Sequence, residues 1–226
     1  MAIIKDIRIF KSYIENVDGN SLPTGFSDKE INIAVHRIVM KLREKNFSLG
    51  DFDHLYINFT TCFVENEIAL SKRSKDRYFP RFRYYDVMIN QDLFDILGTP
   101  QSAQAIFELL EKVLQDCFST EQFTKEAIHL CVLEAITQGE NMLIKFKEKR
   151  TSNNNAVIYL RYLNNGHYFP LLRVLDMEDN LLLEEDLPET NNLDAFGDIL
   201  LSRKKITIKP KKNIFAKELE PISFEL

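Results

Sequence analysis

Glycine-rich phosphate loops, paired cysteines and membrane-length apolar runs are all missing from this sequence. With only 7 glycines, scattered along the chain, there is no GxGxxG and no GxxxxGKS/T loop, so the backbone cradle that such loops build around phosphates is excluded. No HExxH, HxH or GxSxG pattern occurs, which removes the common zinc-hydrolase and serine-hydrolase signatures. The 3 cysteines, Cys62, Cys117 and Cys131, form no CxxC pair, so a zinc ribbon or thioredoxin-like motif is absent and a reducing compartment fits. Cys117 and Cys131 fall in apolar helical patterns, where a thiol reads as a small core hydrophobe. No basic-then-apolar leader opens the chain and no run is long enough to span a bilayer. A cytoplasmic protein with no membrane partner is expected.

What is present is the composition of a globular protein. Of 226 residues, 45% are hydrophobic and 28% charged, enough apolar surface to offset the entropy of ordering the chain. The 34 acids against 29 bases give a net charge of −5. That sign argues against a dedicated nucleic-acid binder, whose phosphate contacts need a basic surface, and leaves room for a basic partner.

Periodicity divides the chain into three stretches. Residues 3–14 predict a strand, with Ile7, Ile9 and Tyr13 on one parity. Ser27 as N-cap with Glu30 three residues on predicts a capping box, opening a helix to about Lys45 whose stripe is Ile31, Ala34, Val35, Ile38, Val39 and Leu42. His36 lies off that stripe and reads as a solvated histidine. Between 54 and 89 the period becomes two, in HLYINFT, CFVENEIAL and RYYDVMI. After Pro100 come two helical patterns. The first is striped by Ile106, Leu109, Leu110, Val113 and Cys117, widened by Phe107, Leu114 and Phe118; the second, from about Thr124, is apolar around most of its circumference and is expected to be central. His129 within it reads as a packed or hydrogen-bonded structural histidine.

The last third predicts strands. NMLIKFKEKR and AVIYLRYL flank a polar link at 150–155, and Asn165-Gly166 is a hairpin signal for a type I′ turn. Pairing Asn164 with His167 would set Tyr159 opposite Leu172 and Tyr162 opposite Phe169, with His167 exposed at the turn. Glu178-Asp179-Asn180 predicts the next reversal, into LLLEEDL; ILLSRKKITIK and ISFEL complete the set. The expected fold is a single α+β domain over 1–226, divisible into sub-lobes 1–149 and 156–226: a mainly antiparallel sheet with a C-terminal meander, packed on a layer of about three to four helices.

Three local clusters bear on function. Asp51 and Asp53 with His54 precede a strand and could present two carboxylates and an imidazole to a metal, although turn-forming aspartates there are commoner. In 72–83, KRSKDRYFPRFR, six bases and one acid interleave with Tyr78, Phe79 and Phe82, a pattern that suits single-stranded nucleic acid or, alternatively, a solvated loop whose aromatics turn inward. Between Arg173 and Arg203 no base occurs, while Asp176, Glu178, Asp179, Glu184, Glu185, Asp186, Glu189, Asp194 and Asp198 all do. Such a field steers a basic partner, unless the seven bases from Arg203 to Lys217 pair with it.

The segments GFSDKEINIAVHRIVMKL (25–42), FDHLYINFT (52–60), SKRSKDRYFPRFRYYDVMI (71–89), QGENMLIKFKEKR (138–150) and IYLRYLNNGHYFPLLRVLD (158–176) resemble a family of immunity proteins from bacterial polymorphic toxin systems. The likeness is one of general pattern over most of the chain, and no residue roles carry over from it. It implies a cytosolic α+β protein that binds and neutralises a cognate toxin without catalysis. The alternative is a nucleic-acid-binding or processing protein using 72–83. No catalytic, cofactor-binding or metal-ligating residue is nominated. The nominated partner-binding residues are Glu178, Asp179, Glu184, Glu185 and Asp186, facing a toxin with a basic surface. Tyr162, Tyr168 and Phe169 are the nearest candidates for apolar anchors.

Overall fold

The computed structural model describes residues 2–21, 23, 28–73 and 81–226, which form an α+β fold in two compact units, Met1–Gly139 and Glu140–Leu226.

The first unit is built on a βαβ element. Strand β1 (Asp6–Lys11) leads to helix α1 (Lys29–Glu44) and returns as β2 (His54–Thr60), parallel to β1 with Ile7 beside Leu55 and Ile9 beside Ile57. Then β3 (Ile68–Leu70) and β4 (Phe82–Met88) complete a sheet of order β1-β2-β4-β3, in which β4 is parallel to β2 and only β3 is antiparallel. Alternation carries no information on strand direction, and this sheet is mixed, whereas the pairings of the second unit are all antiparallel, as the expected mainly antiparallel fold requires. Central β2 is buried at six of its seven residues, as a strand covered on both faces must be. The strand expected over 3–14 stops at Lys11, and Tyr13 is exposed.

Asp28, not Ser27, is the N-cap of α1, its carboxylate accepting from Ile31 N at 2.9 Å; Ser27 lies outside the described residues. The C-terminus closes in a Schellman arrangement: Asn46 N donates to Arg43 O, Phe47 N donates to Leu42 O, and Asn46 takes φ 61° where glycine is usual. His36 is half-buried rather than solvated, and burial pushes its imidazole below the usual range.

Short α2 (Gln91–Ile96) is followed by α3 (Ala103–Phe118) and α4 (Lys125–Gln138). The buried stripe of α3 runs through Ile106, Phe107, Leu110, Val113, Leu114 and Phe118, as expected except at Leu109, which is half-buried, and Cys117, which is exposed. Phe118 stacks edge-on against Tyr85 of β4, which sets α3 on the Ile7–Leu55–Tyr85 face of the sheet. Helix α4 packs on α1 and α3 through Ile128, Cys131, Val132 and Ala135, but Leu130, Leu133 and Ile136 are exposed, so it is not the central helix. Its apolar circumference exceeds what two neighbouring helices cover.

The second unit is all β. Strands β5 (Ile144–Arg150), β6 (Asn154–Tyr162), β7 (Tyr168–Asp176) and β8 (Leu181–Asp186) form an antiparallel meander in chain order. The polar link expected at 150–155 is the β5–β6 turn, closed by Thr151 N on Asn154 O at 2.9 Å. The segment ILLSRKKITIK makes two strands, β9 (Asp198–Leu201) and β10 (Lys205–Lys209), which join β11 (Ile222–Glu225) in a second antiparallel sheet of order β11-β10-β9. Ala156, Ile158, Leu172 and Val174 from the first sheet share one core with Ile199, Ile206 and Ile208 from the second, sealed by Leu187 and Phe196.

The Asn-Gly turn is not type I′. Leu163 N donates to His167 O and Gly166 N to Leu163 O, with positive φ only at Gly166 (91°), so three residues form the loop. The register is therefore Tyr162 with Tyr168, Tyr159 with Leu171 and Ile158 with Leu172, one residue from that expected. Burial explains the choice: this register puts Ala156, Ile158 and Leu160 on the same face as Val174, Leu172 and Pro170, whereas the other would set Ile158 beside Arg173.

Candidate functional site

The acidic β7–β8 hairpin is shaped by its turn and by a bulge. Asp176 turns the chain, its carboxylate accepting from Glu178 N at 2.8 Å and from Asn180 N and Nδ2 at 2.9 Å; these bonds, the Asn180 side chain's foremost, hold it below the usual carboxylate range. Asp179 occupies the left-handed position at φ 62°, which aspartate tolerates better than most residues. The register then slips between Val174 and Leu175, leaving Leu182 unpaired, and the bulge turns Leu181 and Leu182 both outward, 55% and 44% exposed. Met177 at the turn is exposed as well.

The five nominated acids divide. Glu184 is paired with Arg173 at 2.5 Å and Asp186 with Arg161, both on the outer face of the sheet, where Arg161 lies 4.2 Å from the Phe169 ring centroid and Arg173 5.6 Å from that of Tyr159. Glu185 lies opposite the core residue Leu172, a charge on the inward side of an edge strand, which also discourages edge-to-edge pairing. Glu178, Asp179 and Glu185 are exposed and form no ion pair among the described residues. Farther along, Glu189 binds His167 at 2.7 Å and Asp194 binds Lys211 at 2.7 Å. Part of the negative span is thus neutralised within the unit. Its uncompensated charge is concentrated at the hairpin end.

Tyr162, Tyr168 and Phe169 are half-buried, the two tyrosine rings 5.1 Å apart. The exposed apolar side chains nearest the acids are instead Met177, Leu181 and Leu182. A run of three leucines before Glu184 signalled them, because strict alternation cannot hide three in succession.

The 72–83 segment divides too. Residues 74–80, with Arg77, Tyr78 and Phe79, lie outside the described residues. Arg73 is fully buried against Asp86 and is no phosphate contact, while Phe82 packs on His54 and Tyr56. Asp51 and Asp53 do not share a face: Asp51 is exposed and reaches Arg83, whereas Asp53 is buried among Lys5, His54 and Arg81. No cluster of three or more potential metal ligands occurs among the described residues. His129 is hydrogen-bonded to Glu111 at 2.9 Å, a structural pairing as expected.

A cavity of about 910 Å³ in the first unit lies by the end of α1 and the α3–α4 turn, lined among others by Leu49, Phe123, Cys117 and Cys131. Burial pushes the Cys131 thiol up, and partial desolvation against the cavity wall does the same for Cys117 although that residue is exposed, so both stay protonated at neutral pH and are poor nucleophiles. No helix among the described residues is long and apolar enough to cross a membrane. No family model, curated protein or solved structure matches the chain.

Proposed function

We propose that the chain is a non-catalytic, immunity-type protein that binds a cognate bacterial toxin in the cytoplasm and neutralises it by covering its active surface. The observation that carries this reading is the β7–β8 hairpin end, where Met177, Leu181 and Leu182 stand in solvent beside Glu178 and Asp179. Apolar groups with charges at their margin are how a protein interface divides affinity from steering: the former resist dissociation, the latter raise the encounter rate. A nuclease toxin would offer a basic groove, which carboxylates enter as phosphate mimics. The family resemblance of the sequence points the same way.

The test is coexpression. The toxin to test is the variable C-terminal domain of a large secreted protein encoded by a neighbouring gene. Cells expressing that domain should survive only when this chain is made with it, and failure to rescue them sinks the reading.

A further inference from the structure

The second unit carries, besides the acidic hairpin, a basic tip of opposite character. No acid occurs between Asp198 and Glu218, while seven bases do. Within that stretch Ile214 and Phe215 stand 82% and 73% exposed, flanked by exposed Lys209, Lys212 and Lys217, none of which forms an ion pair among the described residues.

This tip is held firmly. Asn213 Oδ1 accepts from Phe215 N and Ala216 N, both at 3.0 Å, and Asn213 Nδ2 donates to Asp194 at 2.8 Å. Asp194 also binds Lys211 Nζ and, through its carbonyl, Lys211 N, each at 2.7 Å; Asn192 Nδ2 donates to Phe215 O at 2.9 Å. Ala216 is buried beneath. These bonds fix the backbone that carries Ile214 and Phe215, so little backbone freedom is lost on binding, which is what makes a preorganised anchor effective. Beside them opens a shallow cavity of about 520 Å³, with Pro210, Leu219 and Pro221 in its wall and Lys209, Lys212 and Lys217 around it.

Hairpin and tip are complementary. The hairpin presents an apolar Met177 followed by two acids, with Leu181 and Leu182 behind; the tip presents an apolar-walled cavity ringed by bases, with Ile214 and Phe215 beside it. All five apolar groups are exposed, so the fold keeps the two surfaces apart within one copy. We propose that the tip of one copy docks on the β7–β8 hairpin of a second copy, Met177 seating in the lysine-ringed cavity and Leu181 and Leu182 covering Ile214 and Phe215. The contact is independent of the toxin reading, since the purified chain alone should show it, and it covers the acids that the toxin would take.

The experiment is sedimentation of the purified full chain over a range of concentration and salt. The parent should associate, with added salt weakening association. A tip variant, Lys209→Glu with Lys212→Glu and Lys217→Glu, and a hairpin variant, Glu178→Lys with Asp179→Asn, should each associate at least about tenfold more weakly, because like charges then face each other across the contact. Mixing the two variants should restore association, since each tip then meets a hairpin of opposite sign. A third variant, Ile214→Ser with Phe215→Ser, should associate weakly at every salt concentration. All substituted residues are exposed, and circular dichroism confirms that each variant is folded. A parent that stays monomeric at every concentration, or variants that fail to restore association when mixed, overturns the proposal.

Discussion

Arg73 directs Nη1 at both carboxylate oxygens of Asp86, at 2.8 and 2.9 Å, with both side chains shut off from solvent. Asn58 Nδ2 donates to the same carboxylate at 2.7 Å, Ser12 Oγ donates to Asn58 Oδ1 at 3.0 Å, and Arg73 Nη2 reaches Ile14 O at 2.7 Å. The network thus ties β2 and β4 to the segment that follows β1.

Removing one partner leaves the other charge buried and unpaired. Asp86→Leu or Arg73→Met alone should therefore cost about 3–5 kcal/mol, whereas the double substitution should cost far less than their sum, because the desolvation of both ions is then avoided and chiefly the lost acceptor of Asn58 remains. Urea unfolding of the four proteins measures the coupling. Additive losses would mean that the pair is not the unit assigned here.

Asp53 contributes to the acid sensitivity of the first unit. Burial works to raise its carboxyl, but hydrogen bonds and charge from Lys5 and His54 prevail and hold it at about 2. A folded-state value below the unfolded one, about 4, means that the stabilisation is complete above pH 4 and is lost as pH falls through 2. The gain is at most about 2.5 kcal/mol, less with solvent around the half-exposed Lys5. Asp53→Asn should lower stability at pH 7 and flatten its decline between pH 4 and 2. An unchanged decline would assign acid sensitivity to other carboxylates.

Strands and helices were legible in the sequence wherever apolar spacing was regular, as in His54–Thr60 and Tyr168–Asp176. Direction was not, because a parallel and an antiparallel strand alternate alike. Parity held a usable signal at the Asn165-Gly166 hairpin: Ile158 and Leu172 both needed the core, which outranks the preference of the dipeptide for a two-residue turn. The role of Arg73 was hidden by its basic neighbours, although Asp86, set between Tyr85 and Val87 in a strand, already required a cation. The acidic span was visible as charge. Its division by Arg161 and Arg173 was not, since those pairs form between strands.

Two glycines should fail for different reasons. At Gly197 an added Cβ would lie 2.4 Å from Lys211 N and 2.6 Å from the Pro210 carbonyl carbon, so Gly197→Ala must push backbone apart and should cost about 2–3 kcal/mol. At Gly166 the nearest atom, Tyr162 Oη, is 3.6 Å away and only the φ of 91° is unfavourable, for a cost of about 1–2 kcal/mol. Thermal unfolding of both variants ranks them. A milder loss at Gly197 would contradict the close backbone approach.

Under the proposed function, the acids of the hairpin should differ in their effect on association with a toxin. Glu184 and Asp186 already face Arg173 and Arg161, so much of their field is cancelled at the distance from which a partner approaches. Glu178, Asp179 and Glu185 are uncompensated and exposed, and their field extends about 8 Å into solvent at physiological ionic strength. A variant with Glu178→Gln, Asp179→Asn and Glu185→Gln should therefore lose most of the association rate lost when all five become amides, with little change in dissociation. Asparagine also tolerates the left-handed backbone at 179, so the turn survives. Stopped-flow mixing with the purified toxin domain at low and high salt separates the contributions. If Glu184→Gln with Asp186→Asn slows association as much as the three do, then Arg161 and Arg173 do not screen the hairpin and the division of the patch is wrong.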